Sequence, residues 1–302
     1  MVGSILHYVN CIIFCNLFLN NSCEAQNPAS PIQNYEAVYS IELDNDQSKD
    51  ISIENIKGFC KLLCKKNNDQ WDLRREYHFV IQRSQDLPFS QHDLYFSSQE
   101  NDDGLTYSYL KRTEENSQII DSMKGTPIEL KESNNTSTLF DKNSFEQKNR
   151  KILVEYDEKR EIITLPKQAL LPVQTIKKIL SCIKQKKNQM TDLIFDGDED
   201  APEVMEADFK FKKQNYTVNP YIDIKSNNIT HTQDFANVLK KSVVWNVRVD
   251  YYSLPRSKQI EVAYSYDFDI NEEGVIMGAK LNFCNPDFTI KLVPKSFYII
   301  TN

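Results

Sequence analysis

The chain has 302 residues, a net charge of −7 and a pI near 5.3, with 40% hydrophobic and 11% aromatic residues. That content excludes global disorder and suffices to bury a sizeable core. The acidic balance opposes binding to a phosphate backbone, and only 7 glycines leave little material for loops that cradle phosphate.

The first 25 residues read as a signal peptide. Cys11 to Cys15 and Leu17 to Leu19 make a short apolar run, too short to span a bilayer comfortably. Cys23-Glu24-Ala25 puts small residues where signal peptidase needs them, so cleavage is expected near Ala25. Asn20 stands where a lipoprotein signal carries Leu, and no Lys or Arg precedes the apolar run. An uncleaved interfacial segment is the competing reading. Export would leave Cys60, Cys64, Cys182 and Cys284, whose three full pairings cysteine arithmetic cannot separate.

Period-two alternation dominates the rest, as half-buried strands require. Tyr35, Ala37, Tyr39, Ile41 and Leu43 alternate with polar residues. So do Trp71, Leu73, Tyr77, Phe79 and Ile81, with Arg75 the exception. Shorter strands fit around 94–96, 105–109, 119–123, 152–156 and 162–165. Pro172, Val173, Ile176, Leu180 and Ile183 then fall at helical spacing, with Lys177, Lys178, Lys184, Lys186 and Lys187 on the other side. Further strands fit around 193–195, 209–211, 243–251 and 288–293. Ile260, Val262, Tyr264, Tyr266, Phe268 and Ile270 lead through a turn at 271–274 into Val275, Met277, Ala279, Leu281 and Phe283, which predicts a hairpin. Polar stretches near 131–148 and 214–236 read as loop insertions. No Pro/Gly linker divides residues 26–302, so they read as one all-β domain with a single amphipathic helix, and no later segment is apolar enough for a membrane helix.

Catalytic signatures are missing: the chain has no Gly-x-Ser-x-Gly elbow, no Walker loop and no His-Glu-x-x-His. His78, His92 and His231 are scattered, and His78 falls on the polar side of its strand. Cys60-x-x-x-Cys64 supplies only half of a structural zinc signature, so disulfide chemistry outweighs zinc in an exported protein. Asp196-Gly197-Asp198-Glu199-Asp200 lacks the glycine and the bidentate glutamate of a calcium loop and reads as a solvated acidic turn. No enzyme, metal or cofactor is expected. The lysine side of the helix reads as a solvent stripe, and Asn134, Asn135, Asn215 and Asn228 fit glycosylation motifs of eukaryotic secretion.

The order of these motifs resembles the EipB family of periplasmic cell-envelope-integrity proteins from alphaproteobacteria. The resemblance rests on Tyr35-Glu36-Ala37-Val38-Tyr39 as opening strand, Cys64 ahead of Trp71, and Thr164-Leu165-Pro166 with Leu170-Leu171-Pro172. It continues through the acidic turn, the Trp245 to Tyr252 strand and the closing hairpin from Glu261 to Phe288. It implies a large curled antiparallel sheet, a β-spiral resembling an open barrel, and a disulfide that maps onto Cys64 and Cys284. Loop entropy would give such a bridge about 5 kcal/mol. Cys60 would then either pair with Cys182 or stay reduced and buried. The resemblance further implies a non-enzymatic periplasmic protein that supports envelope integrity through protein contacts, with a tetratricopeptide-repeat protein as the kind of partner. The alternative is a lipid or lipoprotein carrier with Phe79, Tyr264, Tyr266 and Phe268 lining a concave face, although rings at such positions more often form core.

Overall fold

The computed structural model describes residues 32–44, 53–84, 89–128, 150–156, 159–195, 204–214, 223–226, 243–252, 262, 264–284 and 287–300, with the backbone alone at 223–226, 264, 282–284 and 287. The signal-peptide reading, the acidic turn, the glycosylation motifs, His231 and most of both insertions lie outside these residues.

The strands are β1 (Tyr35–Leu43), β2 (Ile53–Asn67), β3 (Gln70–Arg83), β4 (Ser90–Asn101), β5 (Tyr107–Glu115), β6 (Gln118–Pro127), β7 (Arg150–Tyr156) and β8 (Lys159–Leu165). Helix α1 (Pro172–Lys184) follows. Then come β9 (Gln189–Ile194), β10 (Met205–Gln214), β11 (Asp223–Ser226), β12 (Val244–Tyr252), β13 (Tyr264–Asn271), β14 (Ile276–Cys284) and β15 (Asp287–Ile299). One sheet holds them in the order β8-β7-β6-β5-β4-β3-β2-β1-β15-β14-β13-β12-β10-β9, every neighbour antiparallel, with β11 added parallel to β15. The expected all-β, curled antiparallel class with one helix is the observed one.

Alternation explains the curl. In β1, Tyr35, Ala37, Tyr39 and Ile41 are each 1% exposed, while Glu36 and Glu42 face water. Each large apolar side chain buried this way contributes roughly 2–3 kcal/mol, so one continuous face drives the sheet to wrap around itself. Arg75, the exception in the β3 pattern, does point inward: it is 2% exposed and lies 4.1 Å over the Phe96 ring. The turn at 271–274 forms as expected. Asn271 Oδ1 accepts from the Glu273 and Val275 amides at 3.1 and 2.8 Å, and Gly274 takes φ +80°, a conformation open to glycine.

The two ends of the strand path meet through the segment after β8. Leu170 bridges Ile194 of β9 in parallel, and Phe195 and Leu171 pack among Phe96, Tyr107, Tyr109, Met123, Ile152, Val154 and Leu165. A larger cluster of buried residues takes in Val173, Ile176, Ile179, Leu180, Cys182 and Ile183 of α1. The helix starts at Pro172, as the missing N–H of proline permits, and its apolar stripe faces into the sheet. Among the described residues no helix is long and apolar enough to cross a membrane.

Candidate functional site

The rings expected to line a concave ligand face are packed instead. Phe79, Tyr266 and Phe268 are 4%, 2% and 3% exposed and belong to the main apolar cluster. Tyr266 stacks between Tyr251 at 5.7 Å and Phe268 at 5.5 Å, and its hydroxyl lies 3.2 Å from that of Tyr251. Phe79 stacks at 5.2 Å on His92, whose Nε2 lies 2.8 Å from Ser90 Oγ; burial holds that imidazole down to about 4. The Tyr264 side chain lies outside the description. Interior rings in mutual contact are a core, so the carrier reading loses its expected cavity wall at these three positions.

The ladder does not bring the expected disulfide pair together. Cys64 lies level with Tyr35, and Tyr35 with Ile299 at the far end of β15. Cys284 lies level with Asp287, where β15 begins. At about 3.3 Å per residue the two cysteines stand tens of ångströms apart along the strands, whereas a disulfide needs Cα atoms within about 7 Å. Cys60 and Cys64 are buried free thiols, and Cys182 is buried as well. Burial pushes the Cys60 and Cys64 thiols up to about 12, which leaves them protonated and unreactive. Cys182 Sγ sits 3.0 Å from Met190 Sδ, so the structure does not pair it with Cys60. Of the two fates open to Cys60, the structure has the buried thiol.

Polar anchors seat the helix, and the sequence pattern did not mark them. Leu171 gives no side-chain cap. Glu100 of β4, 1% exposed, does that work across 73 residues of sequence: its carboxylate accepts from the Val173 amide at 2.8 Å and the Gln174 amide at 3.2 Å. Burial pushes the Glu100 carboxyl up to about 8, with the two amide hydrogen bonds working the other way. Asp102 accepts from Trp71 Nε1 at 2.9 Å and Lys177 Nζ at 2.5 Å and pairs with Lys66. Burial opposes ionisation of that carboxyl, yet these donors hold it well below the usual range. Lys178 reaches Asp192 of β9 at 2.7 Å, and burial outweighs that partner to push Asp192 up to about 7. Two of the lysines assigned to a solvent stripe therefore tie the helix to the sheet, Lys177 through the turn after β4 and Lys178 through β9. Arg150 of β7 completes the seam by donating to the Gly104 carbonyl at 2.7 Å and to that of Ala169.

On the outer face, His78 lies 2.6 Å from Asp93 and 4.7 Å from the Phe59 ring, beside water as expected. Farther round, the β14–β15 ladder ends at Ala279 and Leu292. Beyond it Pro294 has no amide to donate, while the Ile276 amide and carbonyl are taken from inside by Tyr35 and Tyr39 at 3.3 and 2.8 Å. Over this split lies a depression of about 390 Å³. Gly278, φ +153°, forms part of its floor, where an added Cβ would press on the Leu292 carbonyl at 3.3 Å. Asp267 and Asp269 of β13 edge one side and Lys280 and Lys291 the other. Both lysines pair with buried Asp44, at 2.8 and 2.7 Å. Burial alone would raise the Asp44 carboxyl, but the two ammonium groups hold it below its ordinary value. Asp269 accepts from Asn246 Nδ2 at 3.1 Å, and burial, reinforced by Asp267, raises its carboxyl. Among the described residues no group of three or more His, Cys, Asp or Glu is placed to hold a metal.

A family model described as EipB-like matches residues 26–297. A crystal structure titled as a β-barrel-like protein of a domain of unknown function, from Brucella abortus, superposes with a TM-score of 0.70 at 14% identity, covering 90% of this chain and 99% of that one. At that identity the likeness speaks for the fold. No curated protein matches the chain.

Proposed function

The chain belongs to the EipB-like family, and from that premise we propose a non-enzymatic periplasmic protein that supports cell-envelope integrity through contacts made by the outside of its curled sheet. The observation that carries this reading is the occupied interior. The inward rings pack on one another, α1 adds Val173, Ile176, Ile179, Leu180, Cys182 and Ile183 to the same cluster, and Glu100 and Asp102 tie that helix in place. What is left for recognition is the outer face and the edge of β8, unpaired among the described residues, where Lys159, Arg160, Glu161 and Ile162 are exposed. An unpaired edge of this kind can add a strand from a partner, and its charges guard against pairing with itself. A partner built from helical repeats is the one that the family resemblance suggests.

The test is affinity capture from periplasm with the whole exported chain and with an Ile162→Asp variant. A specific partner retained by the first and weakened by the second supports the reading, and recovery of background proteins alone sinks it. A carrier would need α1 to leave the interior, so native mass spectrometry separates the readings. A co-purified acyl chain would promote the carrier, and a bare protein mass removes it.

A further inference from the structure

We propose that the depression over the β14–β15 split is a binding site for a neutral polyhydroxyl ligand, one or two sugar rings in size. Register fixes the layout. Asn246 of β12, Asp269 of β13 and Gly278 of β14 lie level with one another, and Arg248, Asp267, Lys280 and Lys291 form the next row. Neighbouring strands are about 4.8 Å apart, so the Asn246–Asp269 pair stands beside a floor that at Gly278 carries no side chain. Ligand pockets begin at about 300 Å³, and the depression, at about 390 Å³, takes a small occupant.

The charges on the rim are matched, which selects a ligand without charge. Asp267, Asp269, Lys280 and Lys291 line the depression. Both lysines hold Asp44, at 2.8 and 2.7 Å. Asp267 stands across the ladder from Lys280 and 3.7 Å from Arg248, and Lys280 also attracts Asp269. An anion would sit beside two carboxylates and a cation beside two ammonium groups, whereas a neutral ligand leaves every pair whole. The rim also offers planar hydrogen-bonding groups. Asn246 Nδ2 donates to Asp269 at 3.1 Å. A carboxamide has two N–H donors and a carboxylate two oxygens, so one bond between them leaves the pair able both to donate and to accept. Gln214 adds a second carboxamide. A hydroxyl donates and accepts through a single atom, and two on adjacent ring carbons match a donor and an acceptor side by side. An added peptide strand fits less well, because Tyr35 and Tyr39 already take the Ile276 amide and carbonyl, and Pro294 has no amide. Gly278 and Val293 give an apolar surface for the C–H face of a ring. The site does not depend on whether the outer face also holds a protein partner.

The whole chain is titrated with glucose and with maltose, followed by saturation-transfer NMR and calorimetry. Tetrahydropyran-2-methanol, the same ring without its ring hydroxyls, is one control, and N-acetylglycine amide, a neutral peptide unit, is the other. Glucuronate, the charged relative, is expected to bind at least fivefold more weakly than glucose. Asn246→Ala is expected to weaken glucose binding at least tenfold, and Val293→Trp, which fills the depression from the outer face, to abolish it. Circular dichroism checks that both variants fold, and Asn246→Ala decides alone if Val293→Trp does not. Glucose bound at least as tightly as maltose assigns a single-ring site, and tighter binding of maltose a two-ring site. Binding of neither sugar, a control or glucuronate bound as tightly as glucose, or full binding by either folded variant overturns the proposal.

Discussion

Replacing Glu100 with glutamine tests whether the helix is held from a strand. In the native state burial keeps the Glu100 proton up to about pH 8, against an ordinary value of 4.5. Between those values the folded chain binds a proton that the unfolded chain has released. Its contribution to stability is therefore complete below the unfolded value and declines as pH rises toward the folded one. The slope cannot exceed about 1.4 kcal/mol per pH unit for one group, and the whole window is bounded at roughly 5 kcal/mol. Glu100→Gln removes the titration but keeps the shape. The amide oxygen can still serve the Val173 or the Gln174 N–H, while the amide nitrogen faces the other, a loss of about 1 kcal/mol on the scale of a helix cap. Urea unfolding from about pH 5 to about pH 9 should show the variant weaker at the acid end. The gap should close and then reverse as pH rises. Asp192 and Asp269 titrate in both proteins and cancel in the difference. A difference between wild type and variant that stays constant across the range would refute the assigned role.

Other perturbations probe separate parts of the frame. Asp102→Asn leaves Lys66, Lys177 and the Trp71 indole without their shared anion; it should cost about 1–2 kcal/mol in urea unfolding, discounted because the site is partly solvated. Since those donors hold the Asp102 carboxyl low, its share of stability is present at neutral pH and lost as pH falls into the acid range, and the Asn variant should lack that loss. Gly58→Ala would drive a Cβ to 2.0 Å from the His78 carbonyl and 2.6 Å from Phe79 Cα in the neighbouring strand; a drop of about 1–3 kcal/mol or more in thermal unfolding is expected. A non-reducing peptide map should recover Cys64 unbridged, with thiol reagent reacting only after denaturation. A Cys64–Cys284 peptide in that map would overturn the strand register.

Local alternation made most of the strands readable, because a half-buried strand writes its burial into every second residue. It revealed β1, β3, β13 and the helix stripe almost to their ends. The fifteen-residue β2 was harder: Lys57, Lys61 and Lys65 mark its outer face, but Gly58 and the cysteines at 60 and 64 break the apolar pattern on which the eye relies. Arg75 was legible only as an exception, and it proved to be an interior residue with an aromatic partner. The disulfide was carried by family resemblance, not by spacing, and pairing register is a long-range property that cysteine counts do not encode. The helix anchors were invisible for the same reason. Glu100 and Asp102 sit in an ordinary polar run, and nothing local marks them as the cap and counter-ion of a helix some seventy residues away.

The outer depression arises from a conflict within the sheet. β15 runs for thirteen residues and keeps β1 beside it to the end, but β14 can follow it only as far as Ala279. Pro294 then removes a donor from β15, and Gly278 lets the β14 backbone turn to φ +153°. Ladder groups freed on Ile276 need partners, and Tyr35 and Tyr39 supply them from within, so the split is sealed on the core side and open on the solvent side. β11 occupies β15 again from Ser296 onward. A sheet that wanted only closure would have continued the β14–β15 ladder. Here it ends early beneath two lysines and two aspartates, with inward tyrosines meeting the backbone cost, and the result is a concave charged surface on the outside of a wall whose inner face carries the apolar core.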